Sequence, residues 1–279
     1  MAYKSLLTVL TDQKIADAPL NQLIALAEAQ DGHAEALCLG VDRTQTGYYY
    51  AGANAMVLQE TLSRAQTEAA ETLEYANGVL GRSGVRWSAE DGFAQIADLG
   101  RHVAHRARFS DLVILPRPYG EDRGSEVEAV VEAAMFEGHA PVLVVPDGHQ
   151  AQGQAKTVLV AWNESVEAMT AIRKAMPFLK AAELVRIVII DPPTHGPERS
   201  DPGGMLSQLL ARHEVQCEID VLSKTLTRVS DVLNRHTADT NADMIVMGAY
   251  GHSRFREAIL GGATRNMLEK ANVPVFMAH

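Results

Sequence analysis

The sequence is poor in cysteine, in positive charge and in long apolar runs, and each shortage excludes a class of protein. Only two of the 279 residues are cysteines, Cys38 and Cys217, and they lie in different halves of the chain. Two cysteines so far apart exclude a disulfide framework and zinc sites of the usual spacing. We therefore expect both thiols to be structural residues buried in strands.

The formal net charge is −10, so the surface as a whole repels nucleic acid and anionic lipid. No apolar stretch approaches the roughly 20 residues that span a bilayer. The opening residues, from Met1 to Ser5, lack the apolar core of a signal peptide. These shortages predict a cytoplasmic protein that binds neither nucleic acid nor membranes.

What the sequence does have is a regular alternation of short apolar runs with longer helical patterns, and the alternation occurs twice. The runs predict strands at residues 6–10, 36–41, 85–87, 112–115, 142–145, 158–162, 185–190, 217–222, 244–247 and 275–277. Helical patterns fall between them, near residues 17–30, 54–81, 92–107, 124–137, 165–180, 203–213, 228–240 and 256–271. This rhythm is typical of βαβ units, so we predict an α/β fold with two domains, each a five-stranded parallel sheet with helices on both faces.

The two halves also match each other as sequences. Residues 109–115 parallel residues 241–247, each with an aspartate just before an apolar run, and residues 8–12 align with residues 159–163. We therefore predict a tandem repeat, with a first domain at residues 1–147 and a second at residues 156–279. The two copies are expected to form an intrachain pseudo-dimer.

A run of spaced glycines, Gly248-x2-Gly251-x9-Gly261-Gly262, follows the fourth strand of the second half. Ligands of open parallel sheets sit beyond the carboxyl ends of strands. Glycine lets backbone N–H groups approach an anion, and a helix N-terminus favours negative charge. The segment therefore predicts a phosphate cradle, although a turn or a flexible lid would also use spaced glycines. It matches neither the P-loop nor the dinucleotide fingerprint.

Together with Asp243 before the preceding strand and Val273-Pro274-Val275 at the end, this pattern resembles the nucleotide motif of the universal stress protein family. The resemblance implies adenine-nucleotide α-hydrolase-like domains that bind ATP or a related nucleotide, AMP or ADP, with Mg²⁺ accompanying ATP. It implies base-side contacts at Ala161, Trp162, Asn163 and Ile189. It implies ribose and phosphate contacts at Met247, Gly248, Gly251, Gly261, Gly262, Ala263 and Thr264.

Two residues depart from the family pattern, because Asn163 replaces the usual aspartate and Gly262 replaces the usual serine or threonine. The first half departs further: Pro116 and Pro118 remove N–H donors where the cradle would lie. We interpret the first domain as degenerate, either a scaffold or the holder of a different ligand.

Three functions remain open on the sequence. The first is a stress-response regulatory protein that binds ATP or a related adenine nucleotide in its C-terminal domain. The second is a nucleotide-independent interaction module with vestigial pockets, and the third is a slow ATPase. No Ser/His/Asp set and no general base accompany the glycine motif, which favours a binding role. The protein partner is not identified by the sequence, and a homodimer is left open.

Overall fold

The computed structural model describes residues 2–43, 55–120, 123–192, 201–249 and 262–279. The chain divides into two compact units, one of Tyr3–Val142 and one that contains Leu143–His279. Each unit alternates strands and helices. The predicted α/β fold class is confirmed.

The first half contains β1 (Ser5–Leu10), β2 (His33–Asp42), β3 (Arg86–Gln95), β4 (Leu112–Pro116) and β5 (Val142–Val145). Its strand order is β3-β2-β1-β4-β5, and the boundary between the two units falls inside β5. The helices are α1 (Asp17–Gln30), α2 (Ala55–Leu80), α3 (Leu99–Ala107) and α4 (Ser125–Glu132), the last continued by a π-helical turn (Ala133–Glu137). A short 3-10 turn, Gln13–Ile15, leads into α1.

The second half repeats this plan with β6 (Thr157–Ala161), β7 (Leu184–Ile190), β8 (Cys217–Leu222), β9 (Met244–Gly248) and β10 (Val275–Ala278). Its strand order, β10-β9-β6-β7-β8, is that of the first half read from the fifth strand to the third. The pairs β1–β2, β1–β4, β2–β3, β6–β7, β6–β9, β7–β8 and β9–β10 are parallel. The helices are α5 (Val166–Lys174), α6 (Met176–Ala181), α7 (Gly204–Arg212), α8 (Val229–Asp239) and α9 (Ala263–Lys270). Helices α8 and α9 pack against each other, so their first turns lie side by side at the carboxyl edge of the sheet.

Burial explains why most strands were predicted over nearly their whole length, whereas β3 was predicted only at its start, as residues 85–87. Strands β4, β5 and β10 are buried along their whole length and read as unbroken apolar runs. Strand β3 pairs with β2 from Arg86 to Gln95, yet most of its side chains are exposed or half-buried and polar. The prediction of a helix over residues 92–107 is therefore wrong at its start, because the helix begins only at Leu99.

The helix predicted over residues 165–180 is also divided in two. Helix α5 ends at Lys174, and α6 begins at Met176 with Pro177 in its first turn. Proline lacks the N–H that would continue the hydrogen-bond ladder of α5, whereas it is tolerated at the start of a new helix.

One aspartate contact fixes the start of the first strand in each half. Asp111 and Asp243 each accept two consecutive backbone N–H groups at 2.7 to 2.9 Å, and the donors are Lys4, Ser5, Lys156 and Thr157. This shared contact makes Thr11, rather than Asp12, the counterpart of Asn163. The sequence alignment of the two first strands was therefore wrong by one residue, because two short apolar runs match almost equally well when one is shifted by one position.

Candidate functional site

A cavity of about 400 Å³ lies at the carboxyl ends of β6, β7 and β9 in the C-terminal unit. Its walls come from these strand ends, from the loop after β6 and from the first turns of α8 and α9. The lining residues are Ala161, Trp162, Asn163, Ser165, Val188, Ile190, Val229, Ser230, Leu233, Met247, Gly248, Ala263 and Thr264. Parallel topology thus brings together three segments that are far apart in the sequence.

Seven of the residues named from the sequence line this cavity, namely Ala161, Trp162, Asn163, Met247, Gly248, Ala263 and Thr264. Gly262 immediately precedes them as the N-cap of α9. Gly251 and Gly261 lie outside the described residues.

Ile189 does not line the cavity, although its two neighbours on β7 do. Successive side chains of a strand point to opposite faces, so Val188 and Ile190 face the cavity while Ile189 faces away. Its Cδ1 would lie 2.8 Å from a Cβ placed on Gly203, at the start of α7. The sequence analysis missed Val188 and Ile190, and strand alternation was the signal that would have found them.

The wall on the β7 side is apolar and includes one unsatisfied donor. Val188 and Leu233 are buried, and the backbone N–H of Trp162 donates to the carbonyl of Val188 at 2.9 Å, which holds the loop after β6 against β7. The indole Nε1 of Trp162 is buried and has no hydrogen-bond partner among the described residues. Indole can only donate, so this atom is ready for an acceptor on a bound molecule.

Three helix N-termini border the same cavity. Ser165 caps α5, its Oγ accepting the N–H of Ala168 at 3.1 Å, whereas no described side chain caps α8 or α9. Gly262, the N-cap of α9, has φ −56° and ψ 158°. Helix N-termini carry partial positive charge and orphan N–H groups, so they favour an anion.

None of the lining residues in the described part of the chain carries a charge. Among these described residues, an anion meets no carboxylate that would repel it and no lysine or arginine that would neutralise it. Their polar contribution comes from helix dipoles, N–H groups, hydroxyls and the amide of Asn163. The Oδ1 of Asn163 already accepts the N–H of Ser165 at 3.2 Å, which leaves the amide NH₂ to donate.

The structure explains why residue 248 is a glycine, and the reason is one that the sequence did not reveal. A Cβ at this position would overlap the backbone of α5, lying 2.6 Å from the carbonyl carbon of Glu167. The glycine therefore lets α5 approach the end of β9. The sequence analysis had assigned it to the approach of an anion, and packing already accounts for it.

Helix α8 is tied to the sheet by a charged cluster centred on Asp220. The guanidinium of Arg186 donates to both carboxylate oxygens at 2.7 and 2.8 Å, and His236 Nε2 donates to Oδ2 at 2.8 Å. Burial raises the pKa of Asp220, but the hydrogen bonds from Arg186 and His236 outweigh it and hold the pKa below its usual range. The cluster positions the helix whose first turn lines the cavity.

In the N-terminal unit, a carboxylate of the chain itself lies at the start of the fourth helix. Gly124 caps α4 with φ −79° and ψ 158°, and Glu126 holds the helix position that Thr264 holds in α9. The Glu126 side chain is only 5% exposed and accepts Nε and Nη2 of Arg43 at 2.9 and 2.7 Å. An internal anion thus takes the place at a helix N-terminus that suits a phosphate.

A larger cavity of about 690 Å³ lies in the N-terminal unit, between the start of α1 and α2. Many of its charged residues neutralise one another: Glu68 accepts both Arg43 at 3.1 Å and Arg64 at 2.9 Å, and Tyr75 donates to Asp17. The described residues of its lining offer less apolar surface than those beside β7. It is therefore a poorer site for a nucleobase.

Thiol and metal chemistry find little support in the described residues. Both cysteines are free, and burial raises the pKa of Cys38 to about 12 and also raises that of Cys217. Within residues 2–43, 55–120, 123–192, 201–249 and 262–279, no group of three His, Cys, Asp or Glu side chains is placed to hold a metal ion. None of the helices described above combines the length and the apolar character needed to cross a bilayer.

Taken with the strand order, the cavity defines the class: an α/β protein of the adenine-nucleotide α-hydrolase-like fold with a candidate ligand site at the carboxyl edge of its sheet. The sequence profile of the universal stress protein family matches residues 154–279, the half that contains the cavity. This half of the chain thus carries a universal stress protein domain.

Individual relatives agree with this assignment. Universal stress protein Slr1230 of Synechocystis sp. is 27% identical over 141 residues, a match that covers 49% of this chain and 46% of that protein. The match thus spans less than half of that relative. A universal stress protein structure from Archaeoglobus fulgidus covers 98% of this chain and 95% of its own at 14% identity, with a TM-score of 0.73. A protein of unknown function from Pseudomonas aeruginosa PAO1 covers 99% and 92% at 13% identity, with a TM-score of 0.60.

Other solved universal stress proteins are described as complexes with cAMP, with AMP in Arabidopsis thaliana, and with dAMP in Archaeoglobus fulgidus. They cover 43 to 52% of this chain with TM-scores of 0.32 to 0.37. Adenine nucleotides are therefore ligands of solved members of the family, and similarities this low carry no argument about residues of this chain.

Proposed function

We propose that the C-terminal unit binds an adenine nucleotide, ATP being the form we favour, and that the protein is a stress-response regulator whose behaviour changes with occupancy. The observation that carries the proposal is the division of one cavity into two halves. On the β7 side the lining is apolar and includes Trp162, whose buried indole N–H has no partner among the described residues. On the β9 side it meets the uncapped N-terminus of α9.

A nucleotide has the same division. Its base is a flat, largely apolar group with nitrogen acceptors at its edge, which suits Val188, Leu233 and the Trp162 donor. Its phosphates are anions, which suit the first N–H groups of α9. The cavity volume, about 400 Å³, lies in the usual range for small-molecule sites.

The lining favours a binding role over catalysis. No described lining residue is a histidine, a carboxylate, a lysine or a cysteine, so none of them is suited to act as a general base. Any Mg²⁺ would enter with the phosphates of ATP, since no metal-holding cluster occurs among the described side chains. Binding and release, rather than turnover, would then carry the regulatory signal.

Tryptophan fluorescence provides a direct test, because the chain has only two tryptophans, Trp87 and Trp162. In a Trp87→Phe variant, Trp162 is the sole reporter, and adding ATP should change its emission in a saturable way. The matched Trp162→Phe variant should lose the signal and bind ATP more weakly by calorimetry, since phenylalanine keeps an aromatic ring and removes the N–H. Unchanged emission together with no heat of binding for ATP, ADP or AMP would refute the nucleotide proposal.

The regulatory part of the proposal needs a test in cells. Cells that carry the Trp162→Phe variant should survive stress less well than cells that carry Trp87→Phe, at equal protein levels. Equal survival of the two strains would show that nucleotide binding at this site does not act in the stress response.

A further inference from the structure

Ser230 lies in the first turn of α8 and is only 1% exposed. Its Oγ has no hydrogen-bond partner among the described residues, and the residue lines the cavity. Nothing in the sequence had pointed to it. A buried hydroxyl without a partner is unusual, because buried polar groups are normally hydrogen-bonded.

Other hydroxyls in the same unit are satisfied by their own helix. Thr237, two turns further along α8, donates to the carbonyl of Leu233 at 2.8 Å. Ser207 in α7 donates to the carbonyl of Gly204 at 2.9 Å. Ser230 is the second residue of its helix, so the carbonyls three and four residues earlier lie outside the helix. Its position therefore leaves the hydroxyl without a local acceptor.

The surroundings of Ser230 show which part of a ligand it would meet. Leu233 follows it by one helical turn, and both residues line the cavity together with Val188 and Ile190 of β7. The phosphate half, by contrast, is built from the end of β9 and the start of α9. A nucleobase edge carries both acceptor nitrogens and, in adenine, an amino donor, and a serine hydroxyl can pair with either.

We propose that Ser230 hydrogen-bonds the edge of the nucleobase and is a specificity-determining residue of this site. This proposal rests on the proposed function. The free protein tolerates an unpaired hydroxyl at a cost in stability, and the bound base satisfies it. A polar group that is paired only in the complex discriminates strongly against ligands that cannot pair with it.

Ser230→Ala removes only the hydroxyl oxygen. We expect ATP, AMP and adenosine to lose the same factor in affinity, about tenfold, because the three share the base and differ in phosphates; a tenfold loss corresponds to ~1.4 kcal/mol. Inorganic triphosphate should bind the variant as it binds the wild type. The melting temperature of the nucleotide-free variant should be equal to or higher than that of the wild type. Titration calorimetry and thermal denaturation measure both quantities.

Thr237→Val is the matched control, since it removes a buried hydroxyl of the same helix that is already satisfied. It should lower the melting temperature and leave all affinities unchanged. Ser230→Cys keeps the size of the side chain with a weaker donor, and its affinity for adenosine should lie between those of the wild type and Ser230→Ala. It also provides a test should the alanine variant fold poorly.

Three results would overturn the role of Ser230: unchanged adenosine affinity in Ser230→Ala, a loss confined to ATP and inorganic triphosphate, or a lower melting temperature of the nucleotide-free variant. Failure of wild-type protein to bind any of ATP, AMP and adenosine would instead remove the proposed function itself, and with it this role. The wild-type titrations distinguish the two cases.

Discussion

The N-cap of α9 offers a sharp test of the phosphate half of the site. Gly262→Ser introduces a hydroxyl at a position whose backbone accepts serine, since φ is −56° and not in the left-handed region. The chain contains its own precedent: Ser165 caps α5 at φ −77° and ψ 158°, and its Oγ accepts an N–H three residues on at 3.1 Å. A serine at residue 262 is expected to accept a helix N–H in the same way and to point its O–H proton outward.

That outward hydroxyl becomes an additional donor for the outer phosphates. One hydrogen bond to a charged oxygen contributes roughly 1.5 to 3 kcal/mol, less the cost of ordering the side chain. We therefore expect ATP to bind Gly262→Ser about tenfold more tightly, with a smaller gain for AMP, because AMP lacks the outer phosphates. Helix stability should rise by only a few tenths of a kcal/mol, since serine and glycine are similar N-caps.

Titration calorimetry with ATP and AMP on the wild type, Gly262→Ser and the control Gly262→Ala measures the effect. The alanine control adds a Cβ without a hydroxyl and should not tighten ATP. Equal or weaker ATP binding in a folded serine variant, or an equal gain for AMP, would show that α9 does not receive the outer phosphates.

Three further predictions concern stability, each measurable by urea denaturation. Gly248→Ala should lower the free energy of unfolding by about 2 to 3 kcal/mol because its Cβ overlaps the backbone of α5, and an unchanged midpoint would contradict that packing. Arg43→Met should lower the free energy of unfolding by about 3 kcal/mol, because it removes the guanidinium that pairs with the buried carboxylate of Glu126. Glu126→Gln should lower it less, because the glutamine amide oxygen still accepts from Arg43; equal losses would contradict this interpretation. Asp220 has a lowered pKa, so its contribution is fully present above the unfolded value of about 3.9 and is lost as the pH falls below that value through the lower pKa of the folded state. Asp220→Asn should weaken this acid dependence, and an unaltered pH profile would count against it.

The sequence by itself determined the fold class and most element bounds. Helix α1 was predicted at residues 17–30 and is observed at Asp17–Gln30, because hydrophobic periodicity is a local property that buried parallel strands and amphipathic helices express strongly. The incomplete prediction of β3 has the same cause, because periodicity shows only what is encoded locally. Only its start was predicted, at residues 85–87, because the rest is held by pairing with β2 and has no apolar run.

For the site, the place of the glycine segment at the carboxyl end of β9 came from the topology of parallel sheets, and the residues after β6 came from the family resemblance. Only the tertiary structure decided which neighbours join them. Val188 and Ile190 face the cavity because of the register of β7, and Ser230 lines it because α8 packs against α9. Gly248 allows α5 to pack closely against the end of β9. Whether a hydroxyl is unpaired or a carboxylate is buried depends on groups distant along the chain, and a sequence pattern contains no record of such contacts.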